Sequence, residues 1–220
     1  MKLLEGIKTR KSFRNFKSTP IPKEILARIL EAASKSPSYR NTQPWEVAVV
    51  SGHKKEELSK ILREMAESDV TPNPDLPLPK FWPPELDRRA KEHVTKRFRA
   101  LRIERENEQQ RKELRLLNFE FYGAPCVLFL FMDSTLTSWS IFDMGLFAQS
   151  LILAAHCFGL GSCLQASIAN YPDAVREFLG ITRTKLLVLG ISIGYPDLEA
   201  TINTYQSIRI SLNDFVQWYA

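Results

Sequence analysis

Within five residues the chain places three cations and a hydroxyl: Arg10, Lys11, Ser12 and Arg14. Groups of this kind hold a phosphate, because guanidinium forks give parallel charge-assisted hydrogen bonds and a hydroxyl takes a remaining oxygen. Taken alone, the cluster could equally be an ordinary exposed basic turn. Far along the chain, Arg209 lies between Ile208 and Ile210 in an apolar, strand-like segment, where an unpaired charge is costly. An anionic ligand between the two regions accounts for both. A second constellation is Pro37-Ser38-Tyr39-Arg40-Asn41-Thr42-Gln43-Pro44-Trp45. It mixes hydroxyls, amides and fixed proline turns directly before an expected strand, where loops present groups to ligands. Its alternative is a well-capped turn with Trp45 as core.

Other catalytic patterns are missing. There is no G-x-x-x-x-G-K-[ST] phosphate loop and no G-x-S-x-G elbow, and Gly159-Leu160-Gly161 follows an expected helix instead of a strand. His53 sits in a turn, His93 in a charged helix and His156 at the end of an apolar one, and each reads as structural. Cys126, Cys157 and Cys163 are odd in number and sit in apolar surroundings, so they read as packing residues in a reducing compartment. Cys157 and Cys163 with His156 match no common zinc spacing, and no metal is expected. A chain with basic clusters and no acid/base set points to a bound cofactor that carries the chemistry.

The elements that must position these residues follow from periodicity. Residues 1–16 carry Leu3, Leu4 and Ile7 as one helical face. A helix entered at a proline spans 23–34, with Ile25, Ile29 and Leu30 inward. A strand is expected over 45–50, then an amphipathic helix over 54–67 with Leu58, Ile61, Leu62 and Met65 inward. Six prolines between 72 and 84 exclude helix or central strand, and Phe81 and Trp82 among them suggest an ordered crossing strip or lid. Residues 126–132 and 185–193 read as strands covered on both faces. Between them, a helix capped by Ser140 runs over 141–158 with apolar residues nearly all round, which points to a dimer seam. Residues 173–179 form a short helix, and 207–219 keep strand-like and then helical spacing. Helix and strand intermix without a repeating register, which favours an α+β fold: a mixed sheet surrounded by helices.

Length and a hydrophobic content of 44% fit one globular domain over residues 1–220. No apolar run approaches the roughly 20 residues of a membrane span, and no secretory signal opens the chain, so a cytoplasmic protein without membrane partners is expected. Residues 85–115 hold eleven Lys/Arg and seven Asp/Glu, which is nearly the whole excess behind the net charge of +5. Interleaved at helical spacing, they read as a solvated helix face laced with ion pairs and not as a nucleic-acid surface.

The motifs Arg10-Lys11-Ser12-Phe13-Arg14-Asn15-Phe16 and Pro37-Ser38 with Asn41-x-Gln43-Pro44-Trp45 resemble the amino-terminal signatures of the FMN-dependent nitroreductase family. Gly123-Ala124-Pro125, Gly159-Leu160-Gly161-Ser162-Cys163, Gly190-x-x-x-Gly194-Tyr195-Pro196 and Arg209 with Phe215 continue the likeness in order, interrupted only at about 68–118. That proline-rich and charged insertion resembles the nitrobenzoate-reductase-like branch. The resemblance implies an intertwined homodimer joined through the long apolar helix, with tails exchanged and FMN at the interface. It places Arg10, Ser12 and Arg209 around the phosphate and ribityl chain and Arg14 near flavin N1 and O2, with Lys11 also among the cofactor-binding residues. Pro37, Ser38 and Asn41 come from the partner against the ring, and the segment Leu164-Gln165-Ala166-Ser167 supplies backbone donors near N5 and O4. Hydride then passes from NAD(P)H to N5, and a nitroaromatic, quinone or enone takes the place of the nicotinamide in a ping-pong cycle. No side-chain acid is needed. Phe81 and Trp82 would wall the substrate space.

Thr182 and Thr201 stand where members commonly carry proline, and neither bears on the chemistry. The acidic-Tyr-Lys lid of halotyrosine dehalogenases is missing, which makes dehalogenation a distant alternative, beside flavin destruction. A different class of function is a non-catalytic interaction protein that uses a basic helix over 85–115.

Overall fold

The computed structural model describes residues 2–104 and 106–219. Among the described residues, seven helices surround a four-stranded sheet. The strands are β1 (Glu46–Ser51), β2 (Cys126–Asp133), β3 (Gly161–Gln165) and β4 (Lys185–Gly194), in the order β1-β2-β4-β3. The helices are α1 (Leu3–Thr9), α2 (Lys23–Ala33), α3 (Gly52–Glu67), α4 (Pro84–Ala100), α5 (Glu108–Leu116), α6 (Ser138–Cys157) and α7 (Pro172–Leu179). The α+β architecture expected from sequence is present. All three strand pairings are antiparallel, and the parallel component is one bridge from Ser12 to Ser162.

Strand β2 is apolar throughout because it is covered twice. Cys126, Leu128, Leu130 and Met132 face α2 and α6, in one core with Met144, Phe147, Leu151 and Ile191. Val127, Phe129 and Phe131 face the other way, onto Leu58 and Leu62 of α3, Phe121 and Val175. A period of two thus splits a continuous apolar run between two cores. Strand β3 is not announced by apolar alternation. Its first residue must be glycine, since a Cβ on Gly161 would lie 2.7 Å from the Phe13 ring that packs there.

Several expectations change. Ile61 of α3 is exposed instead of inward. The charged stretch 85–115 is two helices: α4 stops at Ala100, Arg102 turns to φ 55°, and the Asn107 side chain caps α5 by accepting the Gln110 N–H at 3.0 Å. An interior cap residue outcompetes the continuing charge period. The pairing on α4 is as expected, with Lys91–Asp87 at 2.6 Å, Arg89–Glu85 at 3.0 Å and Arg88 between Glu85 and Glu92.

Helix α6 begins at Ser138 after Thr137, one turn before the expected cap at Ser140. By length and composition alone the helix could cross a membrane, an 18-residue window within it having a mean hydropathy of 1.3, although Asp143, Gln149 and His156 interrupt any continuous apolar run. Its inner face is nonetheless the core of this fold. Trp139 (64% exposed) and Phe142 (62%) remain bare on its outer face, so within one chain the helix is not covered all round. Cys126 and Cys163 are buried as expected, burial pushing the Cys126 thiol up to about 12, whereas Cys157 is exposed. The tail 207–219 forms neither strand nor α-helix but extended chain with a single short turn, because no neighbouring strand lies beside it in this chain. Its Ile208, Phe215, Trp218 and Tyr219 are exposed.

The proline-rich strip divides in two. Its first half is ordered onto the body: Asn73 N–H donates to the Asn170 carbonyl at 2.9 Å, and the Asp75 carboxylate accepts from Leu187 N–H at 2.7 Å and from both amino groups of buried Arg176. Its second half carries Phe81 (83% exposed) and Trp82 (51%) at the surface. Removing one member of a buried ion pair strands the other charge. Asp75→Ala is therefore expected to lower unfolding stability by about 3 kcal/mol in urea titration. A loss below about 1 kcal/mol would show that the strip does not depend on this pair.

Candidate anion-binding site

The segment 10–16 leaves α1 and runs beside β3, where Phe13 N–H donates to the Ser162 carbonyl at 3.0 Å. It is held in place by Asn203, which is 1% exposed. The Asn203 side chain accepts Arg14 N–H at 2.6 Å and donates to the Asn15 and Asp197 carbonyls at 2.8 and 2.7 Å. Both N–H donors and the oxygen of that amide are engaged, so one buried side chain fixes the basic segment against the loop after β4. Lys11 belongs to the same clamp: its ammonium donates to the Asn203 carbonyl at 2.6 Å and lies 5.2 Å from the Phe13 ring centre.

Arg10, Ser12, Arg14 and Arg209 come together here. Arg10 is lowered from the ordinary arginine range, first by burial and then by the charge of Arg209. The argument that led to Arg209 needs correction, however. Its segment is not a strand and its side chain is exposed, held locally by the Ser207 hydroxyl at 2.6 Å. It is the position beside Arg10, not a cost of burial, that marks it. Ser12 sits beside the buried Cys163 thiol, which burial pushes up.

Two groups that sequence reading assigned to ordinary helix surface also face the site. His93 of α4 meets the Tyr205 hydroxyl at 3.0 Å through Nδ1. Burial lowers its pKa, and so do the charges of Arg14, Arg97 and Arg209. Arg97 lies one turn further on. A partial signal for it was available: Arg88, Arg89, Lys91 and Lys96 each have an acidic residue three or four positions away, whereas Arg97 and the exposed Arg99 have none. Among the described residues, Arg10, Arg14, Arg97 and Arg209 make no ion pair with any carboxylate. Four guanidinium groups converge without a counter-charge, and such an arrangement is costly until an anion enters it.

The other expected residues lie elsewhere. Ser36 to Gln43 packs along α6, from the Ser150 hydroxyl, 2.7 Å from that of Ser36, back to Asp143. The Asp143 carboxylate accepts Tyr39 N–H at 3.1 Å, and the Ser38 hydroxyl accepts Gln43 N–H at 3.0 Å. Arg40, Asn41 and Gln43 hold φ of 50°, 57° and 50°, three left-handed non-glycine residues within four positions, and such strain gathers at ligand sites. Pro37 and Asn41 are exposed. The basic segment meets the opposite end of α6, where the Thr9 hydroxyl lies 2.9 Å from His156 Nε2. Asp143 and His156 are thirteen residues apart on one helix, which is about 20 Å at the α-helical rise. The two halves of the expected site therefore do not meet within one chain. Gln165 is buried, its amide nitrogen donating to the Asn118 carbonyl at 2.9 Å and its oxygen taken by Ser192, so only its backbone is available to a ligand. Ala166 is exposed and Ser167 half-buried, in a short 3-10 stretch that continues β3. Phe81 touches no part of the arginine cluster through an aromatic or cation–π pair among the described residues. Trp82 lines a separate cavity of about 1100 Å³ with Val94, Phe98 and Ile103.

Comparison with known proteins shows the family of the chain and its fold. The profile described as "Nitroreductase family" matches residues 7–195. A 4-nitrobenzoate reductase of Pseudomonas putida is 34% identical over 216 residues, covering 96% of this chain and 93% of its own length. Nitroreductase NfnB of Mycolicibacterium smegmatis is 36% identical over 210 residues, covering 94% and 88%. The crystal structure of the FMN-dependent nitroreductase NfnB from Mycobacterium smegmatis in complex with NADPH superposes with a TM-score of 0.95 at 32% identity, covering 99% of this chain and 98% of that one. From the basic segment through β4 to the fold as a whole, this chain belongs to the nitroreductase family.

Proposed function

We propose that the protein is an FMN-dependent oxidoreductase that takes reducing equivalents from NAD(P)H and passes them to a nitroaromatic, quinone or enone, working as a cytoplasmic homodimer. The observation that carries this is the arginine cluster around a clamped segment, with no carboxylate paired to it among the described residues. It fits a phosphate: Arg10 and Arg209 supply adjacent forks, and Ser12 supplies a hydroxyl beside them. Relatives named as nitroreductases, one of them an FMN-dependent enzyme in complex with NADPH, support the same reading. Bound FMN would supply the hydride chemistry. The chain's own groups hold its phosphate, place positive charge from Arg14 beside it and keep the backbone of 165–167 within reach.

The separation of the two half-sites along α6 supports a dimer. A second copy would bring its loop 37–41 to the first copy's arginines and cover the bare Trp139 and Phe142. The exposed tail after Arg209 would lie on that partner. The proposal is tested by adding FMN to purified protein. One flavin per chain and NAD(P)H-dependent reduction of a nitroarene are expected, while folded protein that takes up no flavin would end the proposal.

Trp82 is assigned to the substrate wall. Six nearby prolines lower the entropy of holding a large aromatic at the surface. Trp82→Ala is expected to change kcat/KM unequally across nitroaromatics of different size and to leave FMN affinity unchanged. One common factor for every substrate would make the strip structural.

A further inference from the structure

We infer that Arg97, carried by the insertion helix α4, is an additional cofactor ligand that works with Arg14 on the negative charge FMN acquires on reduction. The inference rests on the FMN reading of the site. One amino group of Arg97, Nη2, is buried with no hydrogen-bond partner among the described residues. Arg88, Arg89, Lys91 and Lys96 of α4 form an outer lattice of ion pairs in which Arg97 takes no part. The helix is docked at this face by His93, whose ring meets Tyr205 at 3.0 Å with ring centres 5.5 Å apart. Two residues before Tyr205, Asn203 holds the Arg14 backbone at 2.6 Å. His93 and Arg97 are separated by one helical turn and share a face, so the insertion is tied to the basic segment where Arg97 projects.

The neighbours of Arg97 are wrong for a structural arginine. Burial and the Arg14 charge both lower it, and what faces it is the Tyr122 phenol, which it hydrogen-bonds, and the Cys163 thiol, neutral groups whose own ionisation burial opposes and which supply no counter-charge. A half-buried cation with an orphaned nitrogen beside another cation is retained at a cost unless an anion completes it. Arg10 and Arg209 already form the pair suited to a phosphate, on the side of His156. Arg14 and Arg97 form a second pair, and His93 feels Arg14, Arg97 and Arg209 together. A ligand with a phosphate at one end and a charge that appears only on reduction at the other matches two separate pairs. The insertion thus becomes part of the cofactor cradle and not merely a lid over it.

The test is flavin affinity and midpoint potential in the purified dimer, for wild type, Arg97→Gln, Arg97→Lys and the exposed control Arg99→Gln. Arg97→Gln is expected to bind reduced FMN about tenfold more weakly relative to oxidised FMN, which lowers the two-electron midpoint potential by about 30 mV. Lysine should recover part of the shift, and Arg99→Gln should show none. An Arg97→Gln protein with wild-type affinity and potential overturns the inference while leaving the FMN reading intact. Equal weakening of both redox states, with no change in potential, also overturns it, by placing Arg97 on the phosphate. If the wild type itself takes up no FMN, the broader reading falls first. Thermal midpoints of the flavin-free variants identify a folding defect, and a defect shared by Gln and Lys without any change in binding counts against the inference.

Discussion

Arg10→Ala and Arg209→Ala are each expected to weaken FMN binding about tenfold or more. Losing one charge-assisted partner of a phosphate costs about 1.5–3 kcal/mol, and 1.4 kcal/mol is a factor of ten. The two side chains do different work in the free chain: Arg10 is half-buried, and Arg209 is exposed and held only by its own neighbours. What they share is proximity without a carboxylate. Flavin-free protein should therefore keep its thermal midpoint, or gain slightly, when one of two repelling cations is removed. The loss should appear only with ligand. At a flavin concentration of 100 times the wild-type Kd, binding adds about 2.7 kcal/mol to stability, and a tenfold weaker variant gains about 1.4. Fluorescence titration of the flavin-free protein measures the affinity directly. Wild-type affinity in both variants would remove the phosphate from this site, and equal destabilisation with and without FMN would make the arginines structural.

The sequence showed chemistry most clearly where that chemistry is local. Arg10, Ser12 and Arg14 are neighbours in the chain, and their types alone suggest an anion. The double-faced strands β2 and β4 were equally legible, because covering both faces leaves an apolar run with no polar interruption. Strand β3 was not, since Gly161-Ser162-Cys163-Leu164-Gln165 is selected by close packing under Phe13 and by hydrogen bonding to β4, and neither writes a period of two. Asn203 escaped notice for a similar reason. A buried amide that clamps residues almost 190 positions away has no local pattern. The tail after Ser207 shows the opposite error: its apolar spacing is real, but spacing makes a strand only where another strand lies beside it. Arg97 fell between these cases. Its missing acidic partner is visible in the sequence, but the orphaned nitrogen becomes apparent only once α4 is docked.

Phe142→Glu is expected to turn the protein into a folded monomer that no longer retains FMN. Phe142 lies on the bare face of α6, beside Trp139 and the ring of Tyr39 stacked on it at 6.1 Å. Within one chain its replacement removes no core contact, so the monomer should keep its helical content. Across an interface, burying a carboxylate in place of an aromatic ring costs several kcal/mol, enough to shift a micromolar dimer to monomer. Leu151→Glu provides the contrast. Leu151 is fully buried between α6 and the sheet, so a charge there should unfold the chain instead of dividing the dimer. Light scattering and circular dichroism separate the two outcomes. Because the arginine cluster and loop 37–41 attach to opposite ends of α6, dissociation should cost flavin even with every arginine in place. Mixed dimers test the sharing directly. One chain with Arg10→Ala is combined with one carrying Asn41→Gly, glycine keeping the left-handed φ of 57°. If the sites are shared, both defects fall in one site and the other is intact, so half the wild-type flavin returns. If each chain holds its own flavin, every site in the mixture stays defective, and the shared-site dimer is wrong.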